Sequence, residues 1–534
     1  MLRRSSRSPL TSLLRESLDA VREAQSRRIP LEAAIEERRE RRAAALTRRE
    51  FLGTAALAAT GLVMGLPHRT RASSPSRIAV VGAGFAGLRF AHAMWTHNRL
   101  PCQVYEANTR LGGRVWTNRN YFADDQIAEQ GAEFVSSEHK SARNLAKQFG
   151  LKLQTVFGGS EPCCNDTNWL DGAYYTMHQL NADLSRLQPA IDAAFRAAPV
   201  TLYNNYTDEG FELDHTSASD WLAQHTPGGL ESKLGRILQT ALLSEFGLEP
   251  SVQSSLNLIY QLGGPGPGGL AGTNEKYHII GGNDQIAARM ASELPPGFIQ
   301  TEMSLVALAL RSDGAYTCTF QRVASTLDVI ADHVVLALPF EQLRKVDLSR
   351  AGFSALKMAA IAGYDLGTNA KLALQFNNRV WSTDDQLSGA CNSDPRTFHL
   401  CWDGTVGQPG SMGILEDFLG GNAGGQNGFP GAAAHGPAPA VAAQSFLSNV
   451  EGPFPGATTA YTGSAWLDWW DRDPYISGSY GCYQLGNYTS FSGIEGRRER
   501  NVHFCGEQTS LRFQGFMEGA LRSAEALAFQ WPSR

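Results

Sequence analysis

The chain has 534 residues, 43% hydrophobic and 19% charged, with a formal net charge of −5, enough for a large buried core in one large or two to three ordinary domains. Charge is uneven: through Arg71 there are 15 Arg, no Lys and 8 acidic residues, a net of +7 that leaves −12 for the rest and argues against a nucleic-acid partner. The eight cysteines (102, 163, 164, 318, 391, 401, 482, 505) form no CxxC and are too sparse for a disulfide framework, and no HExxH, Walker A or GxSxG occurs, so zinc-protease, P-loop and nucleophile-elbow chemistry lack support and no metal site is expected.

In chain order, the first distinctive stretch is TRREFLGTAALAATGLVMGL from Thr47. Its apolar run, residues 53–66, is shorter than the roughly 20 residues that span a bilayer, and is rich in Ala, Gly and Thr. Two arginines precede it, and the small residues Thr70, Ala72 and Ser73 beyond it suit a cleavage site. A short buried helix or a membrane anchor is the alternative reading. Thr47, Arg48, Arg49, Phe51 and Leu52 resemble the twin-arginine export signal, which implies interaction with the twin-arginine machinery and export of an already folded protein to the periplasm or beyond. Residues 1–75 are then leader and signal, with the part before Thr47 unusually long.

RIAVVGAGFAGLRFAHAM follows as strand, glycine turn and helix, and QVYEA as a second strand. Residues from about 150 to 260 read as mainly helical. Two glycine-rich stretches, from Gly263 and from Gly420, read as surface loops. Strand-like DHVVLALPF and AKLALQF between them suggest an α/β chain whose domains are assembled from separate pieces.

A GxGxxG pattern arises by chance about 0.5 times in a chain this glycine-rich, so its context decides. Gly82, Gly84 and Gly87 follow a strand and open a helix, where they serve the tight turn, the approach of backbone to pyrophosphate, and helix packing. Glu106 ends the second strand 19 residues after Gly87, placed to accept ribose hydroxyls. A dinucleotide site is expected.

EANTRLGGRVWT, next in the chain, resembles the flavin-containing amine oxidases, which include monoamine, polyamine and L-amino-acid oxidases. Arg110, Gly112, Gly113 and Arg114 stand in the family's R-x-G-G-R places. The resemblance continues through Gly131, Ala132 and Glu133, expected beside the flavin ring, the doublet Gly281 and Gly282, Val306 where backbone meets adenine, and the closing segment with Gly506, Glu507 and Met517. It implies FAD, an α/β fold with a Rossmann-like FAD-binding domain built from residues 76–150, 263–340 and 490–534, and a mixed-sheet and helical substrate domain from 151–262 and 341–489.

The same resemblance implies oxidation of a C–N bond with hydride passing to flavin N5 and O2 reduced to hydrogen peroxide. In NAKLALQF, alternation puts Leu372, Leu374 and Phe376 on one face and Lys371, Ala373 and Gln375 on the other. With Trp381 ten residues on, Lys371 resembles the family lysine that holds a water at N5, and Tyr480 and Phe516 resemble the two aromatic walls flanking the amine. Monoamine oxidases attach FAD through a cysteine where this chain has Ser479, which implies noncovalent FAD, with Cys482 as the rival position. Glu133 follows the polyamine-oxidase pattern and tilts the expected substrate toward amines without a carboxylate. Arg472 or Arg512 keeps an L-amino-acid oxidase open. Desaturases and protoporphyrinogen oxidases share the FAD motifs without needing Lys371 with Tyr480 and Phe516, and a non-catalytic exported flavoprotein is the remaining alternative. Homodimerisation and any disulfide at Cys163 and Cys164 stay open.

Overall fold

The computed structural model describes residues 8–38, 41, 76–156, 165–264, 274–382 and 387–531. The export-signal stretch, residues 265–273 of the first glycine-rich segment, and Cys163 and Cys164 lie outside the described residues.

Helix α1 (Pro9–Arg27) comes first, capped by the Ser8 side chain, which accepts the Thr11 N–H. The nucleotide fold begins at β1 (Ile78–Val81), passes through α2 (Phe85–Thr96) and returns in β2 (Gln103–Tyr105). β1 is an unbroken apolar run because both its faces are covered, as expected of a parallel sheet. That sheet has five strands, in the order Val502–Phe504, His333–Leu336, β1, β2, Ile299–Gln300, all parallel. Its members come from three distant parts of the sequence, so the FAD-type domain is discontinuous, as expected. Helix Met517–Phe529 packs beside α2, with Arg89 paired to Glu525 at 2.9 Å.

The second body is an eight-stranded mixed sheet with strand Ala370–Phe376 between Tyr461–Trp469 and Gly413–Leu419. Helices Met177–Ala197, Lys233–Phe246 and Ser255–Leu262 form its helical part. Thr176, Ser232 and Ser254 cap them through side-chain oxygens, the local signal that starts each helix there.

Strand Ala370–Phe376 is buried at all seven residues, so its alternation separates two interior environments. Leu372, Leu374 and Phe376 join one apolar cluster, while Ala373 joins another with Phe122 and Ile414. The second glycine-rich stretch begins inside the protein. A Cβ on Gly420 would stand 2.3 Å from the Leu243 carbonyl oxygen and one on Gly424 2.2 Å from that of Thr368, so these glycines permit close backbone approach. Finally, α1 lies in the stretch read as leader, yet Leu10, Leu14 and Leu18 are buried in the same core as Leu184, Phe195 and Leu262.

Candidate active site

A cavity of about 440 Å³ runs between the two bodies; of the motif residues expected at the cofactor or the chemistry, Gly87 and the doublet Gly281 and Gly282 do not line it. Gly87 acts from behind: a Cβ there would lie 1.9 Å from the Gly82 carbonyl oxygen, so glycine is what lets α2 close onto the turn. Gly82 has φ +99°. At Gly84 the nearest atom to an added Cβ is the Gly113 Cα at 3.9 Å, so its bareness leaves room for a ligand. Glu106 accepts the Ala83 N–H at 2.6 Å and the Asn108 N–H at 2.8 Å, which fixes its carboxylate at the end of β2; burial raises its pKa. Val306 sits at a bulge, where the register shifts between Leu305 and Ala307, and reaches the cavity.

The middle of the cavity joins segments far apart in sequence. Arg114 donates to Glu507 at 3.0 Å and to the Ser479 carbonyl; Glu507 in turn accepts the Gly515 N–H at 2.7 Å. Arg110 donates to the Gly113 carbonyl at 2.6 Å and lies 4.3 Å over the Trp116 ring. A Cβ on Gly131 would meet the Arg114 carbonyl oxygen at 2.0 Å, whereas Ala132 and Met517 present side chains to the cavity. Gly506, at φ +148°, turns the chain between the last parallel strand and Glu507. The glycine cradle, the carboxylate at the β2 end and the pair of arginines fit a dinucleotide running from Glu106 toward Lys371.

At the far end stands Lys371, on an interior strand of the large sheet. Its ammonium donates to Glu133 at 2.5 Å, to Glu416 at 2.6 Å and to the Glu129 carbonyl at 2.9 Å. The sheet brings these together: Glu416 pairs in register with Ala373 on one side and Trp402 on the other, making Lys371 its diagonal neighbour on the same face. Trp402 donates its indole N–H to Glu133 at 3.1 Å. Burial alone would pull the lysine pKa down, but the two carboxylates outweigh it and hold the ammonium charged. For Glu416, burial first and then repulsion from Glu133 push the carboxyl well above the usual range. A neutral Glu416 beside a Lys371–Glu133 ion pair balances the cluster. All three lysine donors are engaged by the protein, so a water joins Lys371 only by displacing one of these acceptors.

Tyr480 and Phe516 both line this end. The Tyr480 hydroxyl donates to the Ser244 carbonyl, and Phe516 is backed edge-on by His139 at 4.9 Å between centroids. His139 accepts the Ser136 N–H, and burial lowers its pKa to about 3, so it packs as a neutral ring. Ser479 also lines the cavity, with its hydroxyl bonded to Asn369 at 2.7 Å, while Cys482 does not line it and is wholly buried. Trp381 lies outside the site, its indole bonded to Asp403. Arg472 and Arg512 do not line the cavity; they bind the Gln426 carbonyl and Glu138.

Among the wall and support residues that the sequence did not point to are Trp402, Glu416, Glu275 and Ser8. GILEDFL, an apolar strand interrupted by acids, carries the same kind of signal as the lysine strand. Nothing in the sequence marks Ser8 or Glu275.

A Rossmann-type sheet assembled from distant segments, with a glycine cradle at one end of a shared cavity and a buried lysine and aromatic pair at the other, defines an FAD-binding oxidoreductase. The chain belongs to the family described as flavin containing amine oxidoreductase, whose model matches residues 85–528. It is 25% identical over 476 residues to an L-amino-acid oxidase of Siganus canaliculatus, covering 86% of this chain and 85% of that one. It is 22% identical to a pseudooxynicotine dehydrogenase of Pseudomonas sp., covering 91% and 95%. Cyclohexylamine oxidase from Brevibacterium oxydans shares the fold with a TM-score of 0.72 at 19% identity, over 85% of this chain and 98% of that one. A putrescine oxidase bound to putrescine does so at 0.68 and 18%, with the same coverage.

Proposed function

We propose that the protein is an oxidase of amines that carry no α-carboxylate, with oxygen as the acceptor and hydrogen peroxide as a product. Bound FAD would supply the redox chemistry, taking the hydride equivalent from the carbon that bears nitrogen. Gly82, Gly84, Glu106, Val306, Arg110, Arg114 and Glu507 would hold it. Ser479 at the cavity wall and the distance of Cys482 from it support noncovalent attachment.

The observation that carries the amine reading is the charge of the substrate end. Glu133 faces the cavity, oriented by Lys371 and Trp402, and is placed to bind an ammonium and take its proton so that the neutral amine reacts. Glu275 lines the same end with its Oε2 buried and unpartnered among the described residues. Burial, then repulsion from Glu245 and Glu133, raises its pKa well above normal, a penalty that an incoming cation relieves and an α-carboxylate worsens. The arginines that line the cavity are Arg110 and Arg114, both engaged at its cofactor part. Tyr480 and Phe516 would flank the amine and exclude water. Lys371 would act by holding the Glu133 carboxylate in place through their 2.5 Å contact.

An L-amino-acid oxidase is the second reading, favoured by the name and coverage of the Siganus canaliculatus relative. Export by the twin-arginine route is proposed from Thr47 to Leu52 alone. The deciding test is peroxide release from the yellow protein across primary amines, diamines and L-amino acids, with anaerobic bleaching as a check. Turnover of amines with amino acids inert supports the reading, and turnover of amino acids with amines inert overturns it.

A further inference from the structure

Residues 8–38 precede the export-signal stretch, yet they are built into the substrate end of the cavity. Ser8 lines the cavity itself. Its hydroxyl accepts from the Ser244 hydroxyl at 3.3 Å, and the Ser244 carbonyl accepts from the Tyr480 hydroxyl, so the start of α1 is two contacts from the aromatic wall. Behind Ser8, Leu10, Leu14 and Leu18 recur at a spacing of four and are at most 1% exposed. Arg22 anchors the far half of the helix: it reaches Asp192 at 2.6 Å and the Leu262 carbonyl at 2.8 Å, tying α1 to helices Met177–Ala197 and Ser255–Leu262. Glu23 pairs with Arg27 at 2.9 Å and with Arg38 at 3.2 Å, joining α1 to the helical residues 31–38.

A cleavable leader has no reason to bury three leucines in the catalytic core or to place a hydroxyl in the reaction cavity. We propose that residues 8–38 are a permanent wall of the substrate chamber, retained by the working enzyme whether or not the chain is cut between residues 42 and 75, and that Ser8 limits the size of amine the chamber accepts. Removing the segment would open the chamber beside Tyr480 and strip the cover from Leu184, Phe195 and Leu262. The size limit rests on the amine-oxidase reading; the retention does not.

The test starts from the full chain, expressed with its export stretch intact and purified as the yellow protein. Intact mass under denaturing conditions should find residues 8–38 in one-to-one ratio with the remainder, in an unbroken chain or as a separate piece that co-purified. Yellow, active protein lacking residues 8–38 would overturn the proposal. For the size limit, Ser8→Trp should raise KM for a bulky arylalkylamine at least tenfold over wild type while that of a short alkylamine stays within twofold, with flavin content unchanged. Should Ser8→Trp yield no yellow protein, Ser8→Met takes its place, with a smaller shift in the same direction. Equal KM ratios in folded, yellow variants would remove Ser8 from the wall. If wild type oxidises no amine, the amine reading fails, and the mass measurement still decides retention.

Discussion

Replacing Lys371 by methionine keeps the length of the side chain and removes the one cation between Glu133 and Glu416. Charges 2.5 Å apart, as in the Lys371–Glu133 pair, attract by roughly 7 kcal/mol at an effective dielectric of 20. Part of this offsets the cost of burying both groups, so the expected loss of stability on removing one partner is about 3 to 5 kcal/mol. Urea melts of wild type and Lys371→Met at pH 7 should differ by several kcal/mol. A difference below about 1 kcal/mol, the size of an exposed pair, would refute the buried ion-pair account. Anaerobic bleaching by amine should slow by roughly 10² to 10⁴ in the same variant if Glu133, oriented by Lys371, takes the ammonium proton. Unchanged bleaching would remove the cluster from the chemistry.

The backbone carbonyl of Glu129 holds Lys371, while its side chain, bonded to Thr117 and the Asn283 N–H, is raised by burial to a pKa of about 8. A raised carboxyl lowers stability as pH climbs from the unfolded value to 8, so Glu129→Gln should gain stability over wild type across that window, by up to about 5 kcal/mol, in melts followed from pH 5 to 8. No growing advantage would refute that burial. Gly87→Ala places a methyl 1.9 Å from the Gly82 carbonyl oxygen and should give protein without yellow colour, since the turn and α2 cannot both keep their places. Full flavin content in that variant would contradict the tight packing. Acid precipitation of wild type should release all the flavin into the supernatant; colour left in the pellet would overturn noncovalent attachment.

The dinucleotide site was legible in the sequence because its constraints are local. A fully covered parallel strand must be an apolar run, the turn after it needs glycine at Gly82 and Gly87, and the acid at the end of the next strand falls at a fixed distance, so β1, α2, β2 and Glu106 could be placed from spacing. Helix starts at Thr176, Ser232 and Ser254 were local too. What the tertiary structure decided is which distant residues share the substrate end. Lys371 stands out as a charge on an apolar strand, but its partner Glu416, 45 positions away, is set by sheet register, and its partner Glu133, 238 positions away, by the packing of a distant loop against that sheet. The glycines at Gly420 and Gly424 look like a loop by composition and are close-packed, because composition does not say which backbone will approach. Ser8 is the extreme case: a polar residue ahead of an export-like stretch carries no sign of its place, and only the burial of Leu10, Leu14 and Leu18 against the substrate-domain helices brings it to the cavity.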